Sequence, residues 1–132
     1  MWRTAESPRI TVADFFEAGR VSLQMDWEAN PEAAVGREIT EASLNRPGLA
    51  LAGFVRYFAY RRIQVLGLAE MTYLGSLPAA ERIERLKTLA HVPGVVMSRG
   101  RRLPSYFQKV FAELHVPVMR THLVTGHFMN AG

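Results

Sequence analysis

The sequence contains no cysteine, which excludes a disulfide, a thiolate nucleophile, a zinc–cysteine site and an iron–sulfur cluster together. Stability has to come from packing. Lysine is nearly absent as well: of 16 basic residues only Lys87 and Lys109 are lysines. No glycine is followed by lysine, so the chain has no phosphate loop of the Gly-x-x-x-x-Gly-Lys-Ser/Thr kind. Gly48 and Gly53 have the right gap, but Phe54 and Val55 stand where the charge and the magnesium ligand belong. The dinucleotide pattern Gly-x-Gly-x-x-Gly is missing too. Apolar stretches such as Gly48 to Val55 fall far short of the ~20 residues of a membrane span. Met1 to Glu6 carries no apolar signal core, so a soluble, cytoplasmic protein is expected. Acidic residues stop at Glu113. A metal site built on His91, His115, His122 and His127 would therefore need carboxylates from distant segments, and none is expected.

What is present suits one globular domain: 132 residues, 48% hydrophobic and 21% charged. The net charge of +4 is unevenly spread. Residues 1–50 hold 5 Arg against 8 acids, and residues 51–132 hold 11 basic residues against 4 acids. Such asymmetry fits a phosphate-binding face, but no Lys/Arg run exceeds two residues, so a nucleic-acid partner rests on charge alone.

Local signals outline an α/β series. Thr11 and Asp14 mark the start of a helix over about 12–18 that Gly19 ends. Val21, Leu23 and Met25 alternate with polar residues as a strand does. Pro31 to Val35 is compatible with a helical turn, and Glu38 to Leu44 reads as a further strand. Pro47 suits a first helical position, giving a short helix over Gly48 to Ala52. Arg62 to Gly67 reads as a strand and Leu68 to Leu77 as a helix. From Ala79, Ile83, Leu86, Leu89 and Ala90 share a helical stripe, with Arg82 outside it. Val95–Met97, a helix over Tyr106 to Leu114, and Val116–Met119 form a strand–helix–strand unit whose strands should be parallel neighbours with a right-handed crossover. The expected fold is α/β: a single three-layer domain with a mixed sheet of about five strands and about five helices, including this C-terminal parallel βαβ unit.

Ser98-Arg99-Gly100-Arg101-Arg102 follows one of these parallel strands and Arg120-Thr121 the next, so both would project from the carboxyl edge of the sheet. Guanidiniums and backbone N–H groups around Gly100 could hold an anion there; the alternative is a solvated loop. Asn45 and Arg46, at the strand-to-helix turn, join Ser98, Arg99, Gly100, Arg120 and Thr121 as ligand candidates. Ser98 lies in no Gly-x-Ser-x-Gly elbow, and Ser105 suits a helix's first turn, so no serine nucleophile is indicated. Phe54, Tyr57, Phe58 and Tyr60, interleaved with Arg56, Arg61 and Arg62, read as core packing or as a stacking platform for single strands.

The run Asn45-Arg46-Pro47-Gly48-Leu49-Ala50-Leu51-Ala52-Gly53-Phe54, then Arg62 to Gly67 and Glu70 to Leu74, resembles the N-terminal domain of HPr kinase/phosphorylase. Val95 to Gly100 and Val116 to Thr121 continue the resemblance in the same order, from about Ile10 to Thr125 overall. It implies a bacterial, cytoplasmic regulator of carbon metabolism that phosphorylates and dephosphorylates a serine of the phosphocarrier HPr with ATP and magnesium, as a homohexamer. The family's catalytic loop lies in a second domain and has no counterpart here, so no catalytic residue, ATP site or magnesium site is carried over. The implied layout is an extension over 1–9, the N-terminal-like domain over 10–125, and from 126 to 132 the start of a linker to an absent catalytic domain. The implied role is non-catalytic, regulatory or assembly, with the catalytic domain, the other subunits and HPr as partners. A small-ligand sensor for a phosphorylated metabolite or nucleotide is the alternative.

Overall fold

A computed structural model describes residues 10–41, 43–53 and 58–131. The first helix, α1 (Val12–Gly19), begins where the sequence indicates: Asp14 N donates to Thr11 Oγ1 at 3.2 Å, and Thr11 N donates to the Asp14 carboxylate at 2.9 Å. Phe16 leaves α1 inward and stacks on Trp27 with ring centroids 4.3 Å apart. That Trp belongs to β1 (Met25–Ala29).

The strand expected from Val21 begins only at Met25. Residues 20–24 form a turn in which Leu23 N donates to Gly19 O and Met25 N to Arg20 O. Gln24 is left-handed at φ 52° and Val21 is 82% exposed. The alternation of Leu23 and Met25 is real burial, reached by a helix exit and not by a pleat.

Pro31–Gly36 is a 3₁₀ turn. The strand expected over Glu38 to Leu44 is absent among the described residues, leaving isolated bridges of Glu38 to Thr11 and of Asn45 to Gln64. The reason is where the backbone bonds go: Val12 N donates to Arg37 O and Ile39 N to Ile10 O, tying this segment to the chain before α1 and not to the sheet. The described sheet therefore has four strands where about five were expected.

After α2 (Gly48–Leu51) come β2 (Gln64–Leu66), α3 (Leu68–Gly75), α4 (Ala79–Leu86) and a 3₁₀ turn over Lys87–Leu89. Then follow β3 (Val95–Met97), α5 (Ser105–Leu114), β4 (Val118–Thr121) and α6 (Thr125–Ala131). The order is β1-β4-β3-β2, with β2, β3 and β4 parallel and β1 antiparallel to β4. The C-terminal strand–helix–strand unit is thus parallel, as expected, and the carboxyl ends of β2, β3 and β4 share one edge.

Helices cover both faces of the sheet. Leu66, Val95 and Met97 pack with Leu74, Leu86, Phe107 and Phe111 on one side; Val65, Val96 and Met119 pack with Phe16 and Phe128 on the other. Each fully buried side chain among these contributes about 1.5–3 kcal/mol of apolar transfer free energy. The three layers are therefore those the sequence implied. Phe128, on α6, is fully buried, so α6 packs on this core.

Two further expectations change. Arg82 is not merely outside the stripe: its Nε donates to Leu74 O at 2.9 Å, at the end of α3, and its Nη2 to Leu77 O at 2.8 Å, just beyond it, while its guanidinium lies 4.4 Å from the Tyr106 ring centroid. In the aromatic cluster, Phe54 and Tyr57 lie outside the described residues; Phe58 packs on the core and Tyr60 is 45% exposed beside Arg61.

Candidate functional site

The turn from Asn45 into α2 is fixed from below. Asn45 O accepts from Val65 N at 2.7 Å, and its Nδ2 donates to the side-chain oxygen of buried Gln64 at 2.7 Å. Gln64 in turn donates to Ala59 O and Arg62 O. The Asn45 amide is thereby committed to holding the turn.

Arg46 follows and reaches over β2. Its Nη2 lies 3.0 Å from Glu70 Oε1, and the same oxygen accepts from Gly67 N at 2.8 Å as the cap of α3. Glu70 is only 5% exposed. Gly67 is required by close approach: a Cβ there would lie 2.4 Å from Thr125 Oγ1 and 3.3 Å from Arg46 Nη2.

At the end of β3, Ser98 Oγ sits 2.5 Å from Thr125 Oγ1, both residues buried. Arg99 and Gly100 then adopt consecutive left-handed conformations, at φ 61° and 65°. Their N–H groups do not gather into an anion nest. Arg99 N donates to Leu123 O, Gly100 N to Thr121 O and Arg101 N to Ser98 O, because the loop is stitched to the end of β4. The expected backbone anion site at Gly100 is corrected on this point.

Acids distant in sequence neutralise part of this edge. Arg120 Nη1 lies 2.8 Å from Glu28 Oε1 and its Nη2 lies 3.5 Å from Asp26 Oδ2. Arg102 reaches the same Glu28 oxygen at 3.4 Å, and Leu103 N donates to Glu28 Oε2 at 2.7 Å. Both acids come from β1, antiparallel to β4. His122 Nε2 lies 3.1 Å from Asp26 Oδ2, and this hydrogen bond, with help from the Arg120 charge, holds the Asp26 carboxyl below its ordinary value of 3.8. Thr121 Oγ1 donates to Leu23 O and is buried.

Of the seven candidates, the structure therefore brings Arg46 and Arg99 to one place and turns Arg120 and Thr121 to another. The shared place is an open cleft of about 720 Å³ at the carboxyl ends of β2 and β3, between the first turns of α3 and α6. Arg46, Leu68, Tyr73, Arg99, Val124 and Thr125 line it. Leu68 and Val124 are 48% and 45% exposed, so the lip is apolar. Two guanidiniums against one carboxylate leave a positive balance. Among the described residues no three His, Asp or Glu side chains gather as metal ligands, and no imidazole or carboxylate is bonded to Ser98. The arrangement sets two guanidiniums beside an apolar lip.

Sequence reasoning missed Glu70, Glu28, Tyr73 and Thr125. Glu70 was accessible, three residues after the glycine that opens α3. Glu28 had no local signal.

Comparison with known proteins follows the same outline. The family described as HPr Serine kinase N terminus matches residues 10–131. An HPr kinase/phosphorylase of Brevibacillus brevis is 42% identical over 96 residues, covering 71% of this chain and 31% of its own. Those of Halalkalibacterium halodurans and Chloroherpeton thalassium are 30% and 34% identical, covering 89% and 91% of this chain and 37% and 36% of theirs. The chain thus spans about a third of the length of these relatives.

Proposed function

Because the chain belongs to the HPr serine kinase N-terminal family, we propose that it is the non-catalytic regulatory and assembly domain of a bacterial, cytoplasmic HPr kinase/phosphorylase. The intact protein would transfer phosphate to and from a serine of HPr, with this domain contacting its catalytic domain and the other subunits. The observation that carries the reading is the match to only about a third of each relative, joined to a sequence in which no glycine precedes a lysine. Phosphoryl transfer needs a cation on the β- and γ-phosphates and ligands for magnesium. The residues present do not fit that pair, so ATP and magnesium are assigned to the catalytic domain and no step is routed through them here.

The test is direct. Purified chain with HPr, ATP and magnesium is expected to form no phosphoserine, and to co-elute with the catalytic portion of a relative from which the N-terminal third has been removed. Magnesium-dependent phosphorylation by the pure chain, or failure to associate, overturns the reading. A sensor role is favoured by one specific observation, the two-arginine cleft.

A further inference from the structure

We propose that the cleft at the carboxyl ends of β2 and β3 is a binding site for a small phosphomonoester carrying an apolar or ring-bearing body. The inference stands on the cleft's own geometry and holds whether or not the domain assembles with a kinase.

Charge is the first argument. The candidate loops hold five arginines, Arg46, Arg99, Arg101, Arg102 and Arg120, and they are not equivalent. Glu28 and Asp26 take up Arg102 and Arg120. Glu70 engages one nitrogen of Arg46, leaving its other donors available to the cleft. Arg99 has no acidic partner among the described residues and is exposed. Arg99 and the free donors of Arg46 therefore bring unneutralised positive charge to the cavity. A phosphomonoester offers three terminal oxygens, enough to serve two guanidinium forks at once.

The walls supply the second argument. The cleft volume of about 720 Å³ lies in the range of small-molecule sites. Half-buried Tyr73 and the half-exposed Leu68 and Val124 offer apolar surface beside the two arginines. A ligand that covers them gains burial that free phosphate cannot.

The third argument is backbone strain. Arg99 is a non-glycine residue held left-handed at φ 61°, fixed by bonds from Arg99 N to Leu123 O and from Gly100 N to Thr121 O. Such strain persists where the surroundings over-determine it, and it clusters at binding sites. Here it presents the Arg99 side chain at the cleft.

The probe is phenyl phosphate, with inorganic phosphate and benzyl alcohol as separate arms at matched ionic strength, read by isothermal titration and by thermal melting of the chain. Phenyl phosphate is expected to bind and to raise the melting temperature by mass action, inorganic phosphate to do so less, and benzyl alcohol hardly at all. Arg46→Ala would strand buried Glu70, so the test uses Arg99→Ala, expected to weaken phenyl phosphate by about tenfold or more. Val124→Asp is the second variant. Phe128 N donates to Val124 O at 2.9 Å, which places Val124 at the N-cap of α6, where Asp and Asn both favour the helix. Val124→Asp should fold as well as Val124→Asn yet lose phenyl phosphate more severely. An equal response of the parent chain to any two arms, no response to phenyl phosphate, or Arg99→Ala or Val124→Asp binding like the parent chain overturns the proposal. Failure of the chain to associate with a kinase catalytic portion would bear on the assembly role and leave this result unaffected.

Discussion

Glu28 and Arg120 form a nearly buried ion pair, 2.8 Å from Oε1 to Nη1, with side chains 5% and 11% exposed. They lie 92 residues apart in sequence and meet because β1 runs antiparallel beside β4. Glu28 also receives Leu103 N and Arg102, so one carboxylate ties β1 to the loop before α5 and to β4. A buried pair of this kind is weak evidence of net stability against an apolar replacement, but breaking one side is costly.

Glu28→Ala should therefore lower stability by about 3–5 kcal/mol, since it leaves Arg120 without its main partner. Adding Arg120→Met should recover part of that loss. Urea unfolding of the parent, both single variants and the double closes the cycle, and a coupling near zero would show that the pair is not cooperative.

Gly67→Ala should cost about 1–3 kcal/mol by overpacking, because the added Cβ would sit 2.4 Å from Thr125 Oγ1. Thermal melts measure it. Thr125→Ala in the same background should relieve part of the strain, and a wild-type melting temperature for Gly67→Ala alone would contradict the close packing of α3 on α6.

Gly100→Val should lose about 1–3 kcal/mol, the order of strain for a β-branched residue in the left-handed region. Gly100 has φ 65°, and a Cβ there would also meet His122 Nδ1 at 3.1 Å. Gly100→Asn, which tolerates positive φ better, should lose less, and equal losses for Val and Asn would assign the cost to the His122 contact instead.

The pH dependence turns on Asp26. Its carboxyl is held below 3.8, first by the His122 hydrogen bond and then by the Arg120 charge. A depressed folded-state value means stabilisation that is present above the unfolded value of about 3.9 and is lost as pH falls through the folded value. The stability gap between the parent and Asp26→Asn should thus shrink as pH drops below about 4. In His122→Ala the Asp26 carboxyl, followed by NMR, should titrate closer to 3.8; an unmoved midpoint would assign the depression to Arg120.

Much of the architecture is legible along the chain because its causes are local. Thr11 and Asp14 cap α1 within three residues of each other. Pro47 and Gly48 open α2, and the apolar runs at Val95 and Val118 flank an amphipathic helix, so the parallel βαβ unit and the three layers are written in spacing and period. The run from Asn45 through Leu74 likewise carries the family resemblance. At Leu23 and Met25 a second local feature outweighed the pattern: both are buried as alternation implies, but the left-handed Gln24 between them makes a turn.

Which of the candidate arginines stay unpaired was decided by the tertiary structure. Ser98–Arg102 and Arg120–Thr121 do end neighbouring parallel strands, as the sequence indicates, yet which of their arginines stay available depends on acids far away in the chain. Glu28 neutralises Arg120 and Arg102 from β1, while Glu70, 24 residues from Arg46, engages only part of that guanidinium. Coulombic attraction follows distance in space and the dielectric around the pair, and neither is encoded in sequence separation. An arginine's type and strand position are thus properties of the chain, and its freedom to meet a ligand is a property of the fold.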